Sequence, residues 1–306
     1  MSARAFDLAL PAGYDAAHAL AFHGRDAGGP AERVEGARIR KGVLLDGAPV
    51  LLDLRLHAGH AACRVEVDAG APSGVAARID ARLPAVLANV LGLNIDPAPF
   101  AAMVREDALF APLVRRQPGL RVIQSATVFE ALTWAVIGQQ INLSFAIALR
   151  RSFIERAGRP HENGLWCYPE AADVARLDVE ELTSRKFSRA KADTLLRLAR
   201  LVADGALPLE TLMADGDAER AGTALLAIKG IGPWTVNYAL LRGYGYQDCS
   251  LHGDVAVRSA IGRLLGADDP AGRPGLREAE AFLQAYRPQR TMAAAYCWAS
   301  LNQANA

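Results

Sequence analysis

Leu226-Ala227-Ile228-Lys229-Gly230-Ile231-Gly232-Pro233-Trp234-Thr235-Val236-Asn237-Tyr238 is the stretch from which the fold of this chain is read. One helix runs to Ile228. Gly230 and Gly232 then permit a tight reversal with positive φ or close backbone approach, and Pro233 suits the first turn of a second helix. The pattern is a helix-hairpin-helix. Bare backbone N–H groups at such a helix start can face a phosphate, so nucleic acid can be gripped without lysine. That matters because the formal net charge is only +1, which gives no bulk attraction for a polyanion. The simpler reading is that the two glycines merely join packed helices.

Twenty positions beyond Trp234 stands Asp254, in Leu251-His252-Gly253-Asp254-Val255-Ala256-Val257. On its own it reads as a good N-cap for the helix that follows. Asp248, ahead of Cys249, reads as a turn former. Earlier in the chain, Thr127-x-x-Glu130 is a capping box that opens a helix with Phe129, Leu132 and Val136 on one face. Gly138-Gln139-Gln140 interrupts it, and helical spacing resumes over Leu143 to Glu155, then over Val179 to Leu182, Ala190 to Val202 and Ala218 to Ile228.

The first ~90 residues follow a different period. Leu52, Leu54 and Leu56 alternate with Asp53, Arg55 and His57, and Val65 and Val67 alternate with Arg64, Glu66 and Asp68, as in half-buried strands. Asp46-Gly47 is a hairpin signal between Gly42–Leu45 and Val50–Leu56. Asp15 to Phe22 reads as a short helix offering Ala19, Leu20 and Phe22 to the sheet. The expected fold is therefore α+β, an antiparallel β-domain followed by an all-helical region.

Hairpin, loop and Asp-headed helix in this order resemble the helix-hairpin-helix DNA glycosylase superfamily, whose signature includes an invariant aspartate. Trp234 stands where the bifunctional members carry a Schiff-base lysine, so lyase chemistry through that position is excluded. Trp234, Gly138-Gln139-Gln140-Ile141, and Arg287-Pro288 with Trp298 resemble the alkylation-repair branch, 3-methyladenine DNA glycosylase II. Tyr14-Asp15 through Phe22 and Arg38 to Val43 are laid out as in that family's β-domain. The chain departs from the family in two places: Gly253 stands where a second acid can precede the catalytic aspartate, and Gln140 stands where the wedge residue is aliphatic.

The resemblance implies a monofunctional, hydrolytic enzyme that flips out alkylated purines such as 3-methyladenine and 7-methylguanine, with Asp254 as the catalytic residue. A fixed carboxylate beside the sugar stabilises an oxocarbenium-like transition state and can orient water. Trp234, Tyr238, Trp298 and Phe22 are implied to form a pocket of electron-rich rings for a cationic base, each cation–π contact worth about 0.5 to 2 kcal/mol. Gly230, Ile231, Gly232 and Thr235 are implied to contact DNA, and Gln140 to fill the gap left by the flipped base. Ser184 to Lys191 reads as a solvated basic helix face that, with the resemblance, adds phosphate contacts.

The domain layout expected is an N-terminal β-domain over 1–92 and a helical region over 93–306. In that region 117–246 form the hairpin subdomain, and 93–116 with 247–306 form the other, Asp254 lying between them. Two other functions stay open: a non-catalytic binder of DNA structure using the same hairpin, and a glycosylase for uracil or hypoxanthine.

Composition limits the partners. No apolar run approaches the ~18 residues of a membrane span, and the start, Met1 to Asp7, lacks a signal core. A cytoplasmic bacterial location, near the nucleoid, is expected. Cys63, Cys167, Cys249 and Cys297 lie far apart without zinc-ligand spacing, so no metal or cofactor is expected. The resemblance allows one exception, a monovalent cation on the hairpin's backbone oxygens. Damaged double-stranded DNA is the expected partner of a monomer.

Overall fold

A computed structural model describes residues 2–71, 74–267 and 272–303 of the chain. Residues 304–306 of the expected second helical subdomain lie outside the described residues. Five strands, β1 (Ser2–Ala9), β2 (Glu32–Glu35), β3 (Arg38–Leu45), β4 (Ala48–His57) and β5 (His60–Val67), form an antiparallel sheet in the order β1-β5-β4-β3-β2. Alternation in β4 sends Leu52, Leu54 and Leu56 into the core while Arg55 and His57 face solvent. Asp46 and Gly47 both have positive φ, 51° and 79°, as a two-residue turn between β3 and β4 requires. β1 has no counterpart in the sequence reading. It is an edge strand with Ala3, Ala5, Phe6 and Asp7 all exposed, so burial left no period-2 mark on its residues.

Two helices cover the sheet. α1 (Ala16–Gly24) is capped by Asp15, whose carboxylate accepts from Ala17 N at 2.9 Å. Ala19 is fully buried, and Leu20 and Phe22 are partly buried against the sheet's core. α2 (Val75–Leu91) lies within the first ~90 residues read as strand-like, and its Val75, Ile79, Leu83, Val86, Leu87 and Val90 complete that core.

The rest of the chain builds a second core. In order come α3 (Ala98–Met103), α4 (Ala111–Arg116), α5 (Val128–Gly138), α6 (Leu143–Ala157), the two-residue strands β6 (Arg159–Pro160) and β7 (Trp166–Cys167), α7 (Ala171–Ala175), α8 (Val179–Thr183), α9 (Arg189–Ala203), α10 (Ala218–Leu226), α11 (Pro233–Tyr244), α12 (Val255–Leu264), α13 (Leu276–Gln284) and α14 (Arg290–Gln303). Phe100 and Phe110 meet edge to face at 5.4 Å among the buried rings. Full burial of each such side chain stabilises by about 1.5–3 kcal/mol.

Glu130 does not complete the expected capping box. Thr127 Oγ1 accepts from Glu130 N at 3.1 Å, but the Glu130 carboxylate turns away, to Ala126 N and to two buried cations. Lys41 Nζ lies 2.8 Å from both Glu130 Oε1 and Glu32 Oε1, and Arg150 Nη2 reaches Glu130 at 2.9 Å and Glu32 at 3.1 Å. His23 of α1 bonds Glu32 at 2.9 Å and the Val90 carbonyl at 2.9 Å. The two carboxylates thus offset charges that burial would otherwise make costly, and the cluster fastens the sheet and α1 to α5 and α6.

The helix before the hairpin is also shorter than expected. α10 ends at Leu226; Ile228 N bonds Leu225 O three residues back, and the Ile228 side chain is buried. Among the described residues no helix is long and apolar enough to cross a membrane.

Candidate active site

Asp254 is the N-cap of α12, its Oδ1 accepting from Val257 N at 2.9 Å. Asp254 is thus the helix cap its position suggests, yet the carboxylate does more. Trp298 Nε1, from α14, donates to Oδ1 at 3.1 Å, and Trp234 Nε1, from α11, donates to Oδ2 at 2.9 Å. An ionised carboxylate has about four lone-pair positions. Three are taken by donors on three different helices, which fixes the anion in place and leaves capacity for one more donor such as water. Gly253 packs on Trp234, where an added Cβ would lie 3.6 Å from Trp234 Cβ.

From Trp234 the contacts run on. Its ring lies 5.3 Å from that of Tyr238, and Trp134 Nε1 of α5 donates to Tyr238 Oη at 2.8 Å. The Arg25 guanidinium, at the end of α1, sits 5.0 Å from the Trp134 ring and 4.0 Å from that of Phe22. Arg242 lies 4.9 Å from Phe22 and 5.4 Å from Trp298, which returns to Asp254. The structure thus brings Asp254, Trp234, Tyr238, Trp298 and Phe22 into one closed circuit of side chains.

Three members of that circuit, Trp134, Arg25 and Arg242, were absent from the sequence reading. The signal for Arg242 was present: Trp234, Tyr238 and Arg242 recur every four residues on α11 and so share one face. The expected electron-rich rings have cationic neighbours, since guanidinium groups lie against Phe22, Trp134 and Trp298. Burial, helped by the neighbouring Arg25 charge, pulls the Arg242 guanidinium below its ordinary value against the opposing pull of Tyr238.

The hairpin is built as its glycines suggest, with Gly230 at φ +98° and Gly232 as the N-cap of α11 without a side-chain cap. Among the described residues the backbone N–H groups of Gly232, Trp234 and Thr235 have no acceptor. The side chains of Ile231 and Thr235 cannot serve as DNA contacts. Ile231 is buried in the helical core, its N–H bonded to Ile228 O, and Thr235 is buried with Oγ1 accepting from Gln139 Nε2 at 2.9 Å.

Gln139, also missed, bonds the Gly230 carbonyl at 3.0 Å as well, tying the α5–α6 break to the hairpin. Gln140 next to it is exposed, with φ +56°. A monovalent cation on the hairpin's backbone oxygens would meet carbonyls of Ile228, Lys229 and Gly230 that each already accept one hydrogen bond, from Ile231 N, Arg197 and Gln139, which leaves each oxygen its second lone pair.

Asp248 lies in the turn expected of it, at Gln247-Asp248, and does more. It is buried and holds Arg290 Nε at 2.7 Å and Arg287 Nε at 3.2 Å, a structural clasp at the start of α14. Of the basic run, Lys191 turns inward to the Ile137 carbonyl at 2.6 Å, with burial lowering its ammonium below the ordinary value, while Arg189 remains exposed.

Residues 133–284 match the family model described as HhH-GPD superfamily base excision DNA repair protein. A Bacillus subtilis protein named DNA-3-methyladenine glycosylase is 43% identical over 155 residues, 49% of this chain and 50% of that protein. DNA-3-methyladenine glycosylase 2 of Escherichia coli is 26% identical over 60% of this chain and 61% of its own length. The chain thus spans about half to three-fifths of the length of these relatives. The solved structure titled 3-methyladenine DNA-glycosylase from Archaeoglobus fulgidus has the same fold, with TM-score 0.78, 22% identity and coverage of 96% of this chain and 97% of that one.

Proposed function

The chain belongs to the HhH-GPD superfamily of base excision DNA repair proteins, and on that premise we propose that it is a monofunctional DNA glycosylase that hydrolyses the N-glycosidic bond of alkylated purines. The observation that carries the reading is the Asp254 carboxylate, held by the indole N–H groups of Trp234 and Trp298. A negative charge fixed before the reaction stabilises the oxocarbenium-like transition state without reorganising during it. The remaining acceptor position on Asp254 orients the attacking water. An N-alkylated purine is already a good leaving group, so the site needs no strong general acid.

Backbone N–H groups of Gly232, Trp234 and Thr235 at the start of α11 grip a phosphate of damaged duplex DNA, and exposed Gln140 enters the stack where the base has left. The names of the relatives, DNA-3-methyladenine glycosylases, support this substrate class. The β-domain over 1–92 and two helical subdomains, 117–246 and 93–116 with 247–306, form the working unit, a monomer acting in the cytoplasm.

Release of free base from methylated duplex DNA, followed by chromatography, tests the proposal. Wild type should release 3-methyladenine or 7-methylguanine, and Asp254→Asn should release neither while binding DNA as well as wild type. DNA binding without release by wild type would make the hairpin a grip without this chemistry. Preferential release of uracil would replace the substrate class.

A further inference from the structure

The two arginines in the circuit have no role in the mechanism above, and they sit awkwardly in it. Among the described residues neither Arg25 nor Arg242 is paired with a carboxylate, whereas the other buried arginine near α5, Arg150, has two. Arg242 donates to the Ile123 carbonyl, but its buried Nε has no hydrogen-bond partner. A guanidinium has five N–H donors in a planar fork and no acceptor, so Arg242 retains donor capacity. Its position fixes where that capacity lies: on the same face of α11 as Trp234, and 5.4 Å from the Trp298 ring whose N–H holds Asp254.

Two uncompensated cations beside a base-stacking site disfavour a positively charged ligand unless the ligand brings an acceptor to them. Methylated purines differ on this point. In 7-methylguanine the six-position is a carbonyl oxygen, an acceptor for arginine N–H groups, while N7 carries the methyl group and accepts nothing. In 3-methyladenine the six-position is an amino group, a donor that cannot answer another donor. The reasoning rests on the glycosylase reading above. We infer that Arg25 and Arg242 are specificity-determining residues that donate to the six-position oxygen of the flipped base, so that this site favours 6-oxo purines, 7-methylguanine and hypoxanthine, over the 6-amino purine 3-methyladenine.

The test measures release rates of 7-methylguanine and 3-methyladenine from the same methylated duplex, and of hypoxanthine from an inosine-containing duplex. Full-length wild type is compared with Arg242→Met, Arg25→Met and Arg242→Lys. In Arg242→Met the release of 7-methylguanine and hypoxanthine should fall about tenfold or more, the loss expected for a hydrogen bond from a charged donor, while release of 3-methyladenine should rise because a repelling charge is gone. Arg242→Lys keeps the charge without the fork, so it should lose 7-methylguanine release and gain nothing on 3-methyladenine. A merely structural arginine would lower all three rates together, and that parallel fall, or an unchanged ratio, overturns the inference.

If Arg242→Met melts before the assay temperature, Arg25→Met, altered at the end of α1, decides by the same three rates. Release of neither methylated base by wild type would sink the glycosylase reading itself and the inference with it. Release of both, with parallel loss in the variants, sinks only the inference.

Discussion

Asp254 and Trp298 are joined by an indole N–H···O hydrogen bond of 3.1 Å, between a helix start and a helix 44 residues further along the chain. Trp234 makes the matching bond to the other oxygen at 2.9 Å. Each indole therefore both shapes the site with its ring and aims the carboxylate with its N–H. Trp298→Phe keeps much of the ring and removes the donor. A hydrogen bond to a charged group contributes about 1.5–3 kcal/mol, so base release should slow by roughly 10- to 150-fold. Single-turnover kinetics on saturating enzyme checks this. An unchanged rate would mean that Trp298 serves only as packing.

Asp254→Asn separates charge from shape. Asn is as good an N-cap as Asp, so the bond to Val257 N, and with it the start of α12, should survive. What disappears is the negative charge that the proposed mechanism sets against the sugar. A loss of about 10³-fold or more in base release is expected, with the melting temperature nearly unchanged. A variant that lost activity and stability together would show Asp254 acting mainly as a cap.

The hairpin glycines are not equivalent. Gly230 has φ +98°, and a Cβ there would run into Thr194 Oγ1 of α9. Gly232 has ordinary extended φ, −106°, with nothing within 4 Å of an added Cβ on its own side. Gly230→Ala should therefore lower stability by about 1–3 kcal/mol, through backbone strain and displacement of α9. Gly232→Ala should fold normally. If the free N–H groups at the start of α11 hold a phosphate, a Cβ at Gly232 crowds that phosphate, and DNA affinity should drop while thermal melting stays put. Calorimetry and a fluorescence-anisotropy titration of the two variants separate these effects.

Much of this was legible in the sequence because it rests on local rules. Gly230, Gly232 and Pro233 announce the hairpin, Asp254 its helix cap, and Asp46-Gly47 the β3–β4 turn. What was not legible depends on who meets whom across the fold. Glu130 looked like the closing half of a capping box, yet buried cations from β3 and α6 compete for its carboxylate more strongly than a backbone N–H does. Arg25 carries no signal of its own in the sequence and Arg242 only its place on the α11 face of Trp234 and Tyr238, and it is the meeting of α1 with α11 that puts both against the same ring, Phe22. Ile231 and Thr235 sit inside the hairpin motif, yet the side chain of Ile231 in the reversal and that of Thr235 in the first turn of α11 are both buried.

The buried cluster of Glu32, Lys41, Glu130 and Arg150 makes the last prediction, one about pH. Burial alone would raise both glutamate carboxyls, but Lys41 and Arg150 overcome it and hold Glu32 well below, and Glu130 below, the ordinary value. Groups depressed in this way stabilise the fold fully above their unfolded value, about 4.3 for Glu, and that contribution is lost as pH falls through the folded values. Lys41→Met removes one cation that both carboxylates share at 2.8 Å. At pH 7 it leaves two buried anions facing one arginine and His23, a loss of about 3–5 kcal/mol. Lowering the pH lets a carboxyl that has lost its cation take up a proton, so the gap between wild type and variant should narrow between pH 7 and pH 4. The same cluster holds α1, with Phe22 and Arg25, against α5, with Trp134. Denaturant melts across that range would therefore be expected to track base release in the variant; a gap that stayed constant with pH would mean that Lys41 contributes packing and no charge.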